Sequence, residues 1–176
     1  FTKDNNLVFN AGSMIVLLNI PPVKTDVPLT QKSLDEYFSQ KFLEPDKGNI
    51  FSISPEISAI AICPNGKFLC TGTTQNNARI LIWEMTSRTF IRSMTLSNCC
   101  TVLALEYAED SRTIICFALS KNYTQCLYLI DTEKSKILAS VNHLYSIPFK
   151  IKDMIFRPGS TTEFITCGVQ HMTLWS

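Results

Sequence analysis

Residues 57–84, ISAIAICPNGKFLCTGTTQNNARILIWE, carry a layout that returns twice further along the chain, and this recurrence limits the fold more than any single motif does. Three apolar runs, Ile57 to Cys63, Phe68 to Gly72 and Ile80 to Trp83, are separated by the turn Pro64-Asn65-Gly66 and the polar loop Thr73 to Arg79, which reads as a three-strand meander. Met85 to Arg88 reads as a further turn and Thr89 to Thr95 as a fourth, more polar strand. A sheet of four short antiparallel strands cannot bury its own faces. Its recurrence therefore means that successive sheets stack on one another.

The copies align without gaps around the first turn: Cys63-Pro64-Asn65-Gly66 matches Tyr107-Ala108-Glu109-Asp110 and then Phe156-Arg157-Pro158-Gly159. The third strands end in Trp83-Glu84, Ile130-Asp131 and Trp175-Ser176. The first members of those pairs are spaced by 47 positions (83 to 130) and 45 positions (130 to 175), close to the repeat of about 40 to 45 residues found in propeller blades. In the second copy the strands run Val102 to Tyr107, Thr113 to Leu119, Cys126 to Asp131 and Lys136 to Val141, with polar turns between them. The fourth strands carry more polar residues, as the outer edge of a sheet does.

With Trp83-Glu84, Asp131 and Trp175 at those ends, the chain resembles the WD-repeat (WD40) β-propeller family, whose third strand ends in Trp-Asp. The Gly-His pair that usually precedes each repeat is absent. Phe164-Ile165-Thr166-Cys167-Gly168 running through His171 to Leu174-Trp175, and Thr71-Gly72 followed by a polar loop and Ile80 to Trp83, look like the divergent propellers of EML-like microtubule-binding proteins and of cilia- and flagella-associated WD-repeat proteins. The resemblance covers Leu7 to Trp175 with a break at residues 21–56. It implies an all-β, WD40-type propeller of four-stranded antiparallel blades. About three blades and a leading half-blade are expected here, because a closed ring takes four to eight blades.

On this reading residues 1–20 end a preceding blade, 57–95 and 101–141 are blades, and 150–176 is an incomplete one, all in one propeller domain. Leu7 to Asn10 and Met14 to Ile20 read as second and third strands, and the run Met14 to Leu18 is apolar on both faces, as suits a strand covered on both sides. Residues 21–56 form an insertion. Pro21, Pro22 and Pro28 interrupt any strand, Ser33 and Glu36 have capping-box spacing, and Leu34, Tyr37, Phe38 and Phe42 fall on one face of a short helix stopped by Pro45 and Gly48. That face either packs back on the sheets or docks a partner. With Tyr145, in the loop Asn142 to Phe149, these four are the candidate partner-facing residues.

Chemistry is sparse. The 16 basic and 15 acidic residues leave a formal charge of +1, which provides no electrostatic footprint for nucleic acid. No stretch approaches the ~18 consecutive apolar residues of a membrane helix. The seven cysteines sit mostly inside strands and read as small buried residues of a reducing compartment, with Cys70 and Cys116 in one column of the second strand where Thr166 stands in the third copy. His143 and His171 lie in different units, outside any metal spacing. Cys99-Cys100 are adjacent, a poor tetrahedral chelate. No phosphate-binding glycine loop occurs, and Asn122-Tyr123-Thr124 matches a glycosylation acceptor that reduced thiols argue against. Trp83 and Trp175 read as core. Lys121, Lys134, Lys136, Lys150 and Lys152, interspersed with Asp131, Glu133 and Asp153, read as ordinary solvated surface.

The expectation is a non-catalytic scaffold without cofactor, metal or small-molecule substrate, binding other proteins through its loops. The resemblance implies a cytoplasmic, cytoskeletal setting in a ciliary or flagellar axoneme, with tubulin or dynein-related components as partners. The alternative is a peptide-recognition adaptor, such as a ubiquitin-ligase substrate receptor or another cytosolic complex subunit. An enzyme using carboxylates such as Glu106 and Asp153 ranks third.

Overall fold

Tight polar turns join successive strands, and one device recurs at three of the turns. The computed structural model describes residues 6–19, 40–43, 55–142 and 151–176, and among them every regular element is a β-strand. The strands β1 (Asn6–Ala11), β2 (Met14–Asn19) and β3 (Gln40–Leu43) pair antiparallel in that order. Next come two four-stranded meanders: β4 (Glu56–Ile62), β5 (Phe68–Thr74), β6 (Arg79–Glu84) and β7 (Thr89–Thr95), then β8 (Cys99–Tyr107), β9 (Thr113–Ser120), β10 (Gln125–Asp131) and β11 (Lys136–Val141). A single bridge, Thr74 with Thr101, joins these two into one eight-stranded sheet. The strands β12 (Ile151–Phe156), β13 (Phe164–Gly168) and β14 (His171–Trp175) form a third antiparallel sheet.

Pairing fixes which residues correspond. Leu69 faces Trp83, Ile114 faces Ile130 and Phe164 faces Trp175. On the other side of the same strands, Ile62 faces Leu69, Tyr107 faces Ile114 and Phe156 faces Phe164. The three third-strand ends are thus equivalent, as expected. The first-turn alignment is not: Ile62, rather than Cys63, corresponds to Tyr107 and Phe156, so the gapless alignment sets the first copy one residue out of step.

The slip has a physical source. The left-handed turn position is glycine in the first copy (Gly66, φ 75°) but serine in the second (Ser111, φ 58°), so matching turns by residue type misleads. What all three turns share is a side-chain acceptor placed four positions before Leu69, Ile114 and Phe164. Asn65 Oδ1 accepts from the Lys67 amide (2.8 Å), Asp110 Oδ1 from the Arg112 amide (2.9 Å) and Ser160 Oγ from the Thr162 amide (3.2 Å).

One residue of slip exchanges the two faces of a strand. By the observed pairing Cys116 corresponds to Thr71 and Thr166, and Cys70 to Ile115 and Ile165, so the expected cysteine column is also one position out. The two cysteines still meet, because they approach a shared core from opposite sides.

That core is one of three apolar layers, each built from facing sides of neighbouring sheets. Ile15, Leu17 and Leu43 pack on Leu69, Leu81 and Trp83. Cys70, Ile80 and Ile82 pack on Ile114, Cys116, Tyr128 and Ile130. Ile115, Phe117, Leu127 and Leu129 pack on Ile151, Met154, Phe156 and Phe164. The first strands β4, β8 and β12 lie side by side along one margin of the stack.

Gly72 lets β5 approach the next unit closely: a Cβ there would lie 2.3 Å from both Cβ and Cγ1 of Val102. Beside it, the Ser58 hydroxyl donates to the Val102 carbonyl (2.6 Å), which ties β4 to β8.

The helix expected to run through Phe42 meets a different outcome at its end. Gln40–Leu43 is extended and pairs with β2, and Leu43 is fully buried. Two apolar residues, Phe42 and Leu43, are too few to fix a periodicity, and here the neighbouring strand decides. Leu34, Tyr37, Phe38 and Tyr145 lie outside the described residues.

Candidate functional site

Two indole N–H groups inside the stack are each matched by a threonine hydroxyl. Trp83 is fully buried and its Nε1 donates to Thr71 Oγ1 (3.1 Å); Trp175 Nε1 donates to Thr166 Oγ1 (2.9 Å) in the equivalent place. In the middle unit the Ile130 side chain has no N–H to offer, and the threonine is replaced by Cys116. His171 Nε2 also lies 3.1 Å from Thr166 Oγ1, so this histidine is taken up by the sheet.

The residues with perturbed acidity are structural too. Arg112 grips Asp131 through Nε (3.1 Å) and Nη2 (2.6 Å), and this pair, with the Lys134 and Glu133 amides, holds the carboxyl down to about 2. Burial raises the Glu106 carboxyl, and the charge of Asp153 adds to that effect. Burial likewise pushes up the thiols of Cys70 and Cys116. Cys99 Sγ sits 3.2 Å from the Tyr128 hydroxyl. Among the described residues no three of His, Cys, Asp and Glu gather to hold a metal ion.

Lys121, Lys134 and Lys136 do not share one patch. Lys121 lies in the turn that opens β10 and donates to Asn77 Oδ1 (2.6 Å), whereas Lys134 and Lys136 lie past the far end of that strand, about 20 Å away at the usual strand rise.

Among the described residues, one exposed apolar face belongs to the third sheet. Leu174 is 66% exposed, while its counterparts Ile82 and Leu129 are 5% and 8% exposed. Met172 is 75% exposed, against 1% and 2% for Ile80 and Leu127. Ile155 and Cys167 open onto the same face. Nothing in the sequence distinguishes these residues from their buried counterparts; only their place in the stack does.

A second opening lies beside it. Among the described residues no strand pairs with the outer edge of β14, although the corresponding edges of β6 and β10 carry β7 and β11. Trp83 has Phe90 of β7 against its ring, with centroids 5.6 Å apart and edge to face. Trp175 stacks on Phe164 at 6.0 Å and is only half-buried, next to a cavity of about 380 Å³ lined by Leu127, Leu129, Leu138, Val141 and Phe164.

Compared with known protein families and with curated proteins, the chain matches none. Among the described residues no helix is long and apolar enough to cross a membrane.

Proposed function

We propose that this chain is part of a WD-repeat β-propeller that acts as a non-catalytic scaffold for protein–protein interaction. The observation that carries the reading is the repeat in register: the same strand order, the same Trp–Thr bond at 83/71 and 175/166, and first strands lying side by side from unit to unit. On this reading further sheets continue the stack on the open face of Ile155, Met172 and Leu174. The matched hydroxyls and the arginine-gripped Asp131 then serve the fold, and the rims are left for partners.

The setting proposed is a ciliary or flagellar axoneme or another microtubule-associated assembly, with tubulin or dynein-related components as neighbours. It is supported by the sequence resemblance through Phe164 to Trp175 and Thr71 to Trp83. The near-neutral charge favours contacts that are local or indirect over electrostatic capture by an acidic lattice.

Cross-linking the native assembly and identifying the neighbours by mass spectrometry tests this proposal. Recovery of axonemal or microtubule proteins supports it. A neighbour set confined to ubiquitin-ligase subunits would replace it with the adaptor reading.

A further inference from the structure

We propose that Asn65 is a site of spontaneous covalent modification, at which the Gly66 nitrogen displaces the side-chain amide whenever the turn between β4 and β5 opens. The inference rests on the chemistry of that turn and does not depend on the assembly proposed above.

Asparagine is a thermolabile residue, and Asn65 is the one asparagine in the chain that is followed by glycine. Glycine has no Cβ to shield its nitrogen. Asn65 is exposed, so water reaches it. The sister turns lack this reactivity: Asp110, in the equivalent place, has no amide to lose, and Ser160 has no side-chain carbonyl to attack. In the reaction the Gly66 amide gives its proton to solvent base and its nitrogen bonds to Asn65 Cγ. The Cγ–Nδ2 bond breaks, and Nδ2 leaves as ammonia. Water then opens the five-membered imide at either carbonyl. One opening returns aspartate; the other leaves isoaspartate, which routes the backbone through the side chain and lengthens it by one carbon.

The folded turn holds both reacting groups back. The Gly66 amide donates to the Cys63 carbonyl (2.8 Å), which ties up the nucleophile. Asn65 Oδ1 accepts from the Lys67 amide (2.8 Å) and from the Cys63 thiol (2.8 Å), which fixes the side chain in place. The Asn65 amide donates to Ser111 Oγ (3.1 Å) of the next unit, so opening the turn also breaks a bond between units. Loops open locally at less cost than global unfolding, and that opening sets the rate. The two products then differ in effect. Asp110 shows that a carboxylate keeps the arrangement, accepting from the Arg112 (2.9 Å) and Thr113 (2.8 Å) amides. Isoaspartate does not, because the added carbon separates Gly66 from the Cys63 carbonyl.

The test incubates the chain in warm, mildly alkaline buffer, folded and in urea. Peptide mapping by mass spectrometry follows loss of each asparagine amide, and methylation by an isoaspartyl methyltransferase counts isoaspartate. We expect Asn65 to convert before any other asparagine in urea, and at least tenfold more slowly in the folded chain. Ser111→Gly removes the hydroxyl and suits the positive φ of 58° at that position; it should speed conversion of the folded chain at least threefold and leave the rate in urea unchanged. Asn65→Asp should unfold at the wild-type urea midpoint, whereas chains carrying isoaspartate should unfold at lower urea. Equal rates in the folded chain and in urea overturn the proposal, as does another asparagine converting first in urea, or a folded rate that Ser111→Gly leaves unchanged. If Ser111→Gly does not fold, the wild-type rate at urea concentrations below the unfolding transition decides. A rate that rises there supports local opening of the turn, and one that rises only with global unfolding overturns it.

Discussion

The close approach of Gly72 to Val102 between units predicts a substitution whose effect should change sign with its neighbour. A methyl group on Gly72 would sit 2.3 Å from Val102 Cβ and 2.3 Å from its Cγ1, more than 1 Å inside normal contact, and 3.0 Å from Cγ2. Rotating the valine moves Cγ1 but not Cβ, which is fixed to the β8 backbone, so β5 and β8 must separate. Overpacking of this kind costs about 1–3 kcal/mol, and Gly72→Ala should fall at the upper end because the obstructing atom cannot turn away. The shape of the side chain then makes a distinction. Val102→Ala keeps the Cβ and should relieve little of the cost, whereas Val102→Gly removes the obstruction altogether. Gly72 does not occupy the left-handed region, so alanine fits its backbone. In the Val102→Gly background Gly72→Ala should be neutral or stabilising, by up to about 1 kcal/mol through the unfolded chain. Urea unfolding of the wild type, the two single variants and the double variant, read as a double-mutant cycle, measures this. A cost of Gly72→Ala that is the same in the wild-type and Val102→Gly backgrounds would refute the steric argument.

Three further outcomes can be measured on the same chain. Thr71→Val should cost about 1–3 kcal/mol by leaving the buried Trp83 N–H without an acceptor, and Cys116→Thr should also cost about 1–3 kcal/mol by burying a hydroxyl where the Ile130 side chain offers no donor; a neutral result in both denaturation curves would break the matching argument. Asp131→Asn should cost about 1–2 kcal/mol, a figure kept low because Arg112 is 40% exposed. The Asp131 carboxyl is depressed from 3.8 to about 2 by Arg112, so its contribution is fully present above pH ~3.8 and is lost as the pH falls toward 2; the stability gap between wild type and variant should close over that window and stay constant above it. In the native state a thiol reagent should titrate Cys167 quickly and the half-buried Cys100 slowly, with the other five cysteines reacting only on unfolding; three or more fast thiols would contradict the packing.

Much of the architecture is legible in the sequence because its signals are local. Turn residues, apolar runs and the third-strand ends at residues 83, 130 and 175 all lie within single hairpins, and the observed pairings make those ends equivalent. The misreadings fall where geometry departs from residue type. Ser111 takes a backbone conformation that suggests glycine, and the alignment slips by one residue on that account. Gln40–Leu43 carries apolar residues at a spacing compatible with a helix, yet hydrogen-bonds to β2. The approach of Gly72 to Val102 joins segments 30 positions apart in sequence (72 to 102), and no periodicity within either strand announces it. Neither the β14 edge nor the cavity beside Trp175 has a sequence signal of its own, since both are defined by a strand that the two sister sheets have.

The third sheet also isolates what stacking contributes to burial. Leu174 and Met172 match Ile82 and Ile80 in parity, size and strand position, so local preference gives all four the same tendency to be covered. Their exposures of 66% and 75%, against 5% and 1%, come from the presence or absence of a neighbouring sheet.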